Sequence, residues 1–355
     1  MNQNTRNGFI KVVALPAGPG DCLWIEYGRD SEAPHVLIVD TGVSSTCEFI
    51  RPKLAALTAE RAAVLVITHI DDDHIGSATK LLSDKSLTGK VADVWFNGRR
   101  HCGPEDKTES LGVKNAVALD ELLGSGAHRW NHAFGGNAVS LDCTGAPRQL
   151  PEMPGGLQVT VLGPSKDQLL ALGREWDRGV DRLLEKNRAA PPLADLPPDM
   201  EVFGSAVLDV PSLSSYIGED SSVTNGSSIS LLLEFDGRRI VLAADSHAAS
   251  LLAAWKHLDI SSIDLLKVSH HGSRNNTSLG LVEAMRPQRT LICSDASRHG
   301  HPDDECIAML VAPVGHKRIF TNYTYEKLSS WDNDYMRRKH NFSVVSGDGI
   351  VEINL

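Results

Sequence analysis

The chain has 355 residues, 41% of them hydrophobic, and a formal charge of -10. That is enough apolar material to fill a sizeable core, which excludes disorder as the default, and the acidic balance argues against holding long polynucleotides by general electrostatics. No apolar run reaches the roughly 18 residues of a membrane-spanning helix, and Met1–Asn7 lacks the apolar segment of a signal peptide, which points to the cytoplasm.

Taken in chain order, Phe9–Leu15, Cys22–Tyr27 and His35–Asp40 are β-rich runs separated by Gly, Pro and Asp turns, and they predict an antiparallel meander. Asp21, in the turn Pro19-Gly20-Asp21, is read as an acidic turn residue within reach of any site formed nearby. Asp40, before Thr41-Gly42, is read as bracing a turn through backbone hydrogen bonds. Cys47–Leu57 has helical spacing, and Ala62–Ile67 is a short apolar run of the kind that forms a buried strand.

Directly after that strand stands Thr68-His69-Ile70-Asp71-Asp72-Asp73-His74-Ile75-Gly76, with a helix predicted from Ile75. If the segment is extended, His69, Asp71 and Asp73 share one side, Asp72 points to solvent, and His74 joins from the helix start. Three successive carboxylates repel one another and are costly to desolvate. Two flanking imidazoles make sense of them if a cation of charge two or more compensates the cluster.

Val91–Phe96 is a further strand, followed by the basic cluster Arg99-Arg100-His101, which reads equally as an anion contact or a solvated loop. Leu111–Leu123 and Lys166–Lys186 have helical spacing, and Leu157–Pro164 reads as a strand. The proline-rich stretch Ala189–Pro198 reads as a surface excursion. Ser227–Phe235 and Arg239–Ala244 flank Asp236-Gly237-Arg238 as a β-hairpin that delivers Asp245 to a strand end. Ile263–Val268 delivers His270 and His271, and Arg289–Ser294 leads to the His299-Gly300-His301-Pro302 turn. His101, His128, His132, His247 and His316 are read as surface or core histidines. Cys22, Cys47, Cys102, Cys143, Cys293 and Cys306 show no C-x-x-C spacing and are read mostly as small buried hydrophobes. Two β-rich halves with helices outside predict an α/β fold in four layers, αββα, with strand ends converging along one edge.

The cluster at residues 69–74 resembles the His-x-His-x-Asp-His signature of the metallo-β-lactamase superfamily, with Asp71 in the place of the second histidine. This His-x-Asp-x-Asp-His variant is similar to the soluble domain of bacterial competence DNA-uptake channels (ComEC type). Gly20–Glu26, Val36–Gly42, Asn225–Asp245 and Leu266–Ser273 resemble further stretches of that family, in family order. The resemblance covers the chain apart from about residues 100 to 220. It implies a single four-layer metallo-β-lactamase sandwich over residues 1–355, with insertions at about 100–150 and 165–222.

It also implies a dinuclear site for zinc or manganese. His69 and Asp71 would hold one ion and Asp73 and His74 the other, with Asp245 bridging and His270 or His271 completing the second site. The family's third histidine has no match here; Asn225-Gly226-Ser227 stands in that part of the chain, which implies one tight and one weak ion. Carboxylates in place of imidazoles shift preference from zinc toward manganese or magnesium.

The function so implied is a metal-dependent hydrolase using a metal-activated water on a phosphodiester, as a nuclease or nucleotide phosphodiesterase. Asp73 would orient the water, and His271 and His301 would steady the developing charge or protonate the leaving group. Asn225, Ser227, Ser273 and Arg274 would contact substrate. Two other readings stand beside this one: hydrolysis of lactones, esters or thioesters on the same fold, and a binding module that has lost the chemistry. Homo-oligomerisation stays open.

Overall fold

The computed structural model describes residues 8–29, 32–104, 114–186, 208–298 and 300–355. The expectations placed on residues 1–7, 189–198 and His299 lie outside them.

The predicted meander is present as β1 (Gly8–Ala14), β2 (Leu23–Arg29) and β3 (His35–Val39), each antiparallel to the next. Helix α1 (Cys47–Ala56) then crosses over to β4 (Ala63–Ile67), which runs parallel to β3. The helices α2 (Asp72–Ile75) and α3 (Ala78–Leu82) lead on to β5 (Val91–Phe96), parallel to β4.

Helix α4 (Lys114–Gly124) precedes the short β6 (Arg148–Gln149) and β7 (Gln158–Gly163), and α5 (Lys166–Lys186) follows. After α6 (Val210–Ser214) and α7 (Val223–Gly226) comes the expected hairpin, β8 (Ser230–Phe235) and β9 (Arg238–Leu242), turning at Asp236-Gly237. Asp236 and Gly237 have φ of 48° and 80°, the left-handed pair that a tight hairpin turn requires. The chain continues through α8 (Ala248–Trp255), β10 (Ile263–Lys267), α9 (Leu279–Met285), β11 (Pro287–Ile292), α10 (Asp304–Val311) and β12 (Lys317–Thr321). It closes with α11 (Glu326–Ser329), α12 (Asp334–His340), β13 (Phe342–Ser346) and β14 (Val351–Asn354).

These strands form a six-stranded sheet in the order β14-β1-β2-β3-β4-β5 and an eight-stranded sheet in the order β13-β12-β11-β10-β9-β8-β7-β6. Their inner faces share one core. Ile10, Val12, Ile25 and Leu37 of the first sheet pack there with Val159, Leu231, Ile240 and Leu265 of the second. The opposite face of the first sheet, through Trp24, Ile38 and Leu65, is covered by Ile50 and Leu54 of α1, Leu81 of α3 and Leu119 of α4. Outside the second sheet, Leu251 and Trp255 of α8 and Met285 of α9 cover Leu232, Val241 and Leu266, while Ile307 and Leu310 of α10 cover Ile292 and Ile319. The molecule is therefore the expected four-layer αββα sandwich. Successive side chains of a strand point to opposite faces, so a strand covered on both sides is apolar throughout, as Val12-Val13-Ala14 and Ile38-Val39 are.

Strands β3, β4, β9, β10 and β11 lie in parallel runs, so their C-terminal ends open toward one edge of the sandwich. In open parallel sheets that edge is where ligand-binding loops gather. Among the described residues no helix is long and apolar enough to cross a membrane.

Candidate metal centre

The cluster after β4 is only partly extended. His69 and Asp71 lie in the connecting loop, and the helix begins at Asp72, three residues before the predicted start, so Asp73 and His74 occupy its first turn. It stays a single turn because its carbonyls bond outward: Asp73 O accepts from the Asp21 N–H at 3.2 Å and His74 O from the Thr41 N–H at 2.7 Å. Asp72 is exposed, as expected, and its carboxylate accepts from Asn115 Nδ2 at 2.9 Å. The backbone N–H of Ile229 donates to Thr68 O at 2.9 Å and ties this loop to the second sheet.

Asp40 does brace the turn, accepting from the Thr68 N–H at 2.7 Å, but it also orients the site. Its Oδ2 accepts from His74 Nδ1 at 2.7 Å and from the Thr68 hydroxyl at 2.8 Å. With its hydrogen given to Asp40, Thr68 Oγ1 is left to accept from His69 Nδ1 at 3.0 Å. From the second sheet, His271 Nδ1 donates to Cys293 O at 2.8 Å and His270 Nδ1 to Asn276 Oδ1 at 2.9 Å. All four imidazoles thus carry their hydrogen on Nδ1 and turn Nε2 into the site.

They converge on Asp245. Its Oδ2 lies 3.7 Å from Nε2 of His69, 3.4 Å from that of His74, 3.8 Å from that of His270 and 3.7 Å from that of His271. Two donors on one tetrahedral ion with bonds near 2.0–2.1 Å stand about 3.4 Å apart. The observed spacings run from that edge to slightly beyond it, so these donors are close enough together to hold an ion. His69 Nε2 is also 3.7 Å from Asp71 Oδ2, and His271 Nε2 is 3.3 Å from His74 Nε2 and 3.6 Å from Asp73 Oδ2.

Lone pairs aimed at a carboxylate repel it, and His69 Nε2 and Asp245 Oδ1 are buried without a hydrogen-bond partner. A proton can relieve the repulsion in part. Burial disfavours the charged form of His74, yet Asp245 and Asp40 more than offset this and hold its pKa well above the ordinary value. Burial likewise opposes the charge on Asp245, and His74, His271 and His270 outweigh it and keep the carboxyl ionised. A divalent ion satisfies the same donors more completely, so the residues present fit such a group.

The resemblance leaves open which of His270 and His271 is the ligand, and the backbone turns both toward the site. His270 (φ 45°, ψ 55°) and His271 (φ 54°, ψ 20°) are successive left-handed residues, and the tight turn brings both rings to Asp245. Gly272 continues it at φ 88°, with Pro302 packed where a Cβ would stand.

Asp21 reaches the site, and Lys267 and Arg298 are new to it. Asp21, His74, Asp245 and His271 bring donor atoms within 4.8 Å of one another, close enough to surround an ion. Asp21, however, faces the Nδ1 edges of the rings, 3.4 Å from His271 and 4.0 Å from His74, and pairs with the buried Lys267 ammonium. It lies behind the imidazoles, while the Nδ1 hydrogens of His74 and His271 go to Asp40 and Cys293 O. Burial opposes its charge, and Lys267 and His271 outweigh that, so its carboxyl sits far below the usual range. A lysine at the buried C-terminal end of β10, after the apolar pair Leu265-Leu266, was the available signal for Lys267.

The site opens into a cleft of about 160 Å³ lined by Asp71, Asp73, Asn225, Asp245, His270, His271, Arg298 and His301, with Pro19 and Ser222 at its sides. His301 Nδ1 is 3.4 Å from Asp303 Oδ2. Asn225 Nδ2 donates to Asp220 at 2.7 Å. The remaining predicted substrate contacts are turned elsewhere. The buried Ser227 hydroxyl donates to Thr224 O at 2.6 Å, and Ser273 Oγ is buried and accepts from the Asn275 N–H at 3.3 Å. Arg274 pairs with Glu305 at 2.9 Å and does not line the cleft. Of the basic cluster after β5, Arg99 is buried in a two-bond pair with Asp177, both at 2.7 Å, and Arg100 lies over the Trp130 ring.

No family model matches the chain, and no curated protein matches it. Among solved structures it is similar to human tRNase Z, short form, at 10% identity over 96% of this chain and 98% of that one, with a TM-score of 0.41. It is also similar to a mutant of the CmlA beta-hydroxylase, at 12% identity over 99% of this chain and 55% of that one, with a TM-score of 0.39.

Proposed function

We propose that the protein is a metal-dependent hydrolase of phosphodiesters. The carrying observation is Asp245 Oδ2 set among four inward-facing Nε2 atoms at 3.4–3.8 Å, which supports reading this carboxylate as shared by two ions. His69, Asp71 and His270 would serve one ion, and Asp73, His74 and His271 the other. Two divalent ions there would lower the pKa of a water and neutralise charge building on a phosphoryl oxygen. The chain's own residues do the rest. Asp40, Cys293 O and Asn276 hold three of the rings with Nε2 turned to the site, so a proton there can give way to an ion without any of these rings having to turn. At the cleft wall His301, set by Asp303, can give a proton to the departing oxygen. A diester suits a cleft rich in carboxylates because its single negative charge per phosphate is modest once ions are bound.

Hydrolysis of a lactone, ester or thioester is the second reading. It draws on a separate cavity of about 440 Å³, lined in part by Ile217, Leu252 and Leu279, on the far side of Asp220. Such a lining suits an acyl group.

Metal content and hydrolysis of bis-para-nitrophenyl phosphate with added manganese or zinc test the proposal. Up to two ions per chain and turnover that falls about 100-fold or more in Asp73→Ala are expected. Bound metal with lactone or thioester turnover and none on the diester would favour the second reading. A chain that takes up no metal would favour a binding module.

A further inference from the structure

Arg298 contributes the one guanidinium or ammonium among the described residues that line the metal cleft. Its side chain is 55% exposed, and Nη1 is 3.3 Å from Asp73 Oδ1. The other oxygen of the same carboxylate, Oδ2, faces His271 Nε2 at 3.6 Å, on the side of the proposed ion. Asp73 is therefore shared between a cation site and an arginine. Whichever cation holds its charge more strongly weakens the other's claim.

We propose that Arg298 is a metal-gated oxyanion clamp. When an ion takes Asp73, the guanidinium loses most of its partner and turns its fork to a phosphate oxygen of the substrate; without the ion it stays on Asp73 and leaves the cleft without a free positive group. This rests on the phosphodiesterase reading, because a phosphate oxyanion is what the fork would meet. An arginine presents paired N–H groups that match a phosphate edge, which lysine, a point charge, does not reproduce. The single long contact to Asp73 is far from the two-bond pair that Arg99 makes with Asp177 at 2.7 Å, so release costs little.

Inorganic phosphate is the probe, titrated calorimetrically into the full chain with and without manganese, in wild type, Arg298→Gln and Arg298→Lys. Manganese-loaded wild type is expected to bind phosphate about 10-fold more tightly than loaded Arg298→Gln, with Arg298→Lys in between. Manganese itself should bind Arg298→Gln as well as wild type or better, since Asp73 no longer has to leave a guanidinium. Metal-free wild type should bind phosphate no better than the metal-free Gln variant.

Equal phosphate affinity in loaded wild type and Arg298→Gln overturns the clamp. So does loss of manganese binding in Arg298→Gln, which would make Arg298 part of the centre's scaffold. Arginine-dependent phosphate binding without metal overturns the gating. Hydrolysis of bis-para-nitrophenyl phosphate by wild type separates the two proposals. Turnover with no dependence of phosphate binding on Arg298 sinks the clamp alone, and an Arg298-dependent phosphate site without diester turnover sinks the phosphodiesterase reading alone.

Discussion

Asp40 shows how a residue that touches no proposed ion can govern one. It fixes the His74 tautomer by accepting from Nδ1 and fixes His69 indirectly, by taking the Thr68 hydroxyl hydrogen. Outer partners of this kind are commonly worth 10- to 100-fold in metal affinity, so Asp40→Asn should weaken metal binding by about that factor, as measured by competition with a chelator of known affinity. Asp72→Asn, in the same acidic run but exposed, should leave it unchanged. The sequence made His69, Asp71, Asp73, His74 and Asp245 legible because metal-binding residue types crowd at strand ends there. Asp21 was legible only as an acid within reach of the site, and Lys267 and Arg298 were not legible as site residues, since a lysine in a strand and an arginine in a loop acquire meaning only from what folds against them. Ser227 and Ser273 failed for the converse reason: their hydroxyls or lone pairs are used by the local backbone.

At the scale of elements, the turn between β1 and β2 is a wall of the centre. Gly20 packs so tightly that a Cβ there would lie 1.8 Å from Asp73 O, a backbone atom of the one-turn helix α2. Gly20→Ala must push α2 away and should cost about 1–3 kcal/mol of stability, read from the denaturant midpoint, together with metal affinity. A variant that binds metal as tightly as wild type would show that the two segments can move apart freely. The strands of the meander and the hairpin were readable because their apolar runs are bounded by Gly, Asp and Pro. Strand β14 was passed over although Val351-Glu352-Ile353-Asn354 alternates buried and exposed; at four residues such a period is too short to stand out. Strands β12 and β13 are also short, and β13 is a half-buried edge with no clean alternation.

For the molecule as a whole, the donors divide between the sheets. The first sheet contributes His69, Asp71, Asp73 and His74 from the end of β4, and the second contributes Asp245, His270 and His271 from the ends of β9 and β10. Among the described residues, the buried or half-buried acids Asp21, Asp40, Asp71, Asp73 and Asp245 face Lys267 and Arg298 as the permanent cations paired with them at the site. Added manganese or zinc should relieve that imbalance and raise the unfolding free energy, by about 2.7 kcal/mol at a free concentration near 100 times the dissociation constant. Denaturant midpoints with metal and with a chelator check this, and coincident curves would mean that no ion binds the native fold selectively.

A centre that straddles two layers is also a clasp with a clock. Residues that are some two hundred positions apart along the chain, Asp73 and His74 against His271, meet only once the sheets have docked, so an ion should engage late on the folding route, after the barrier has been crossed. Interactions absent at the barrier act on the rate of leaving the native state and not on the rate of reaching it. Stripping the metal would then shorten the lifetime of the folded molecule while leaving the speed of its formation nearly as it was.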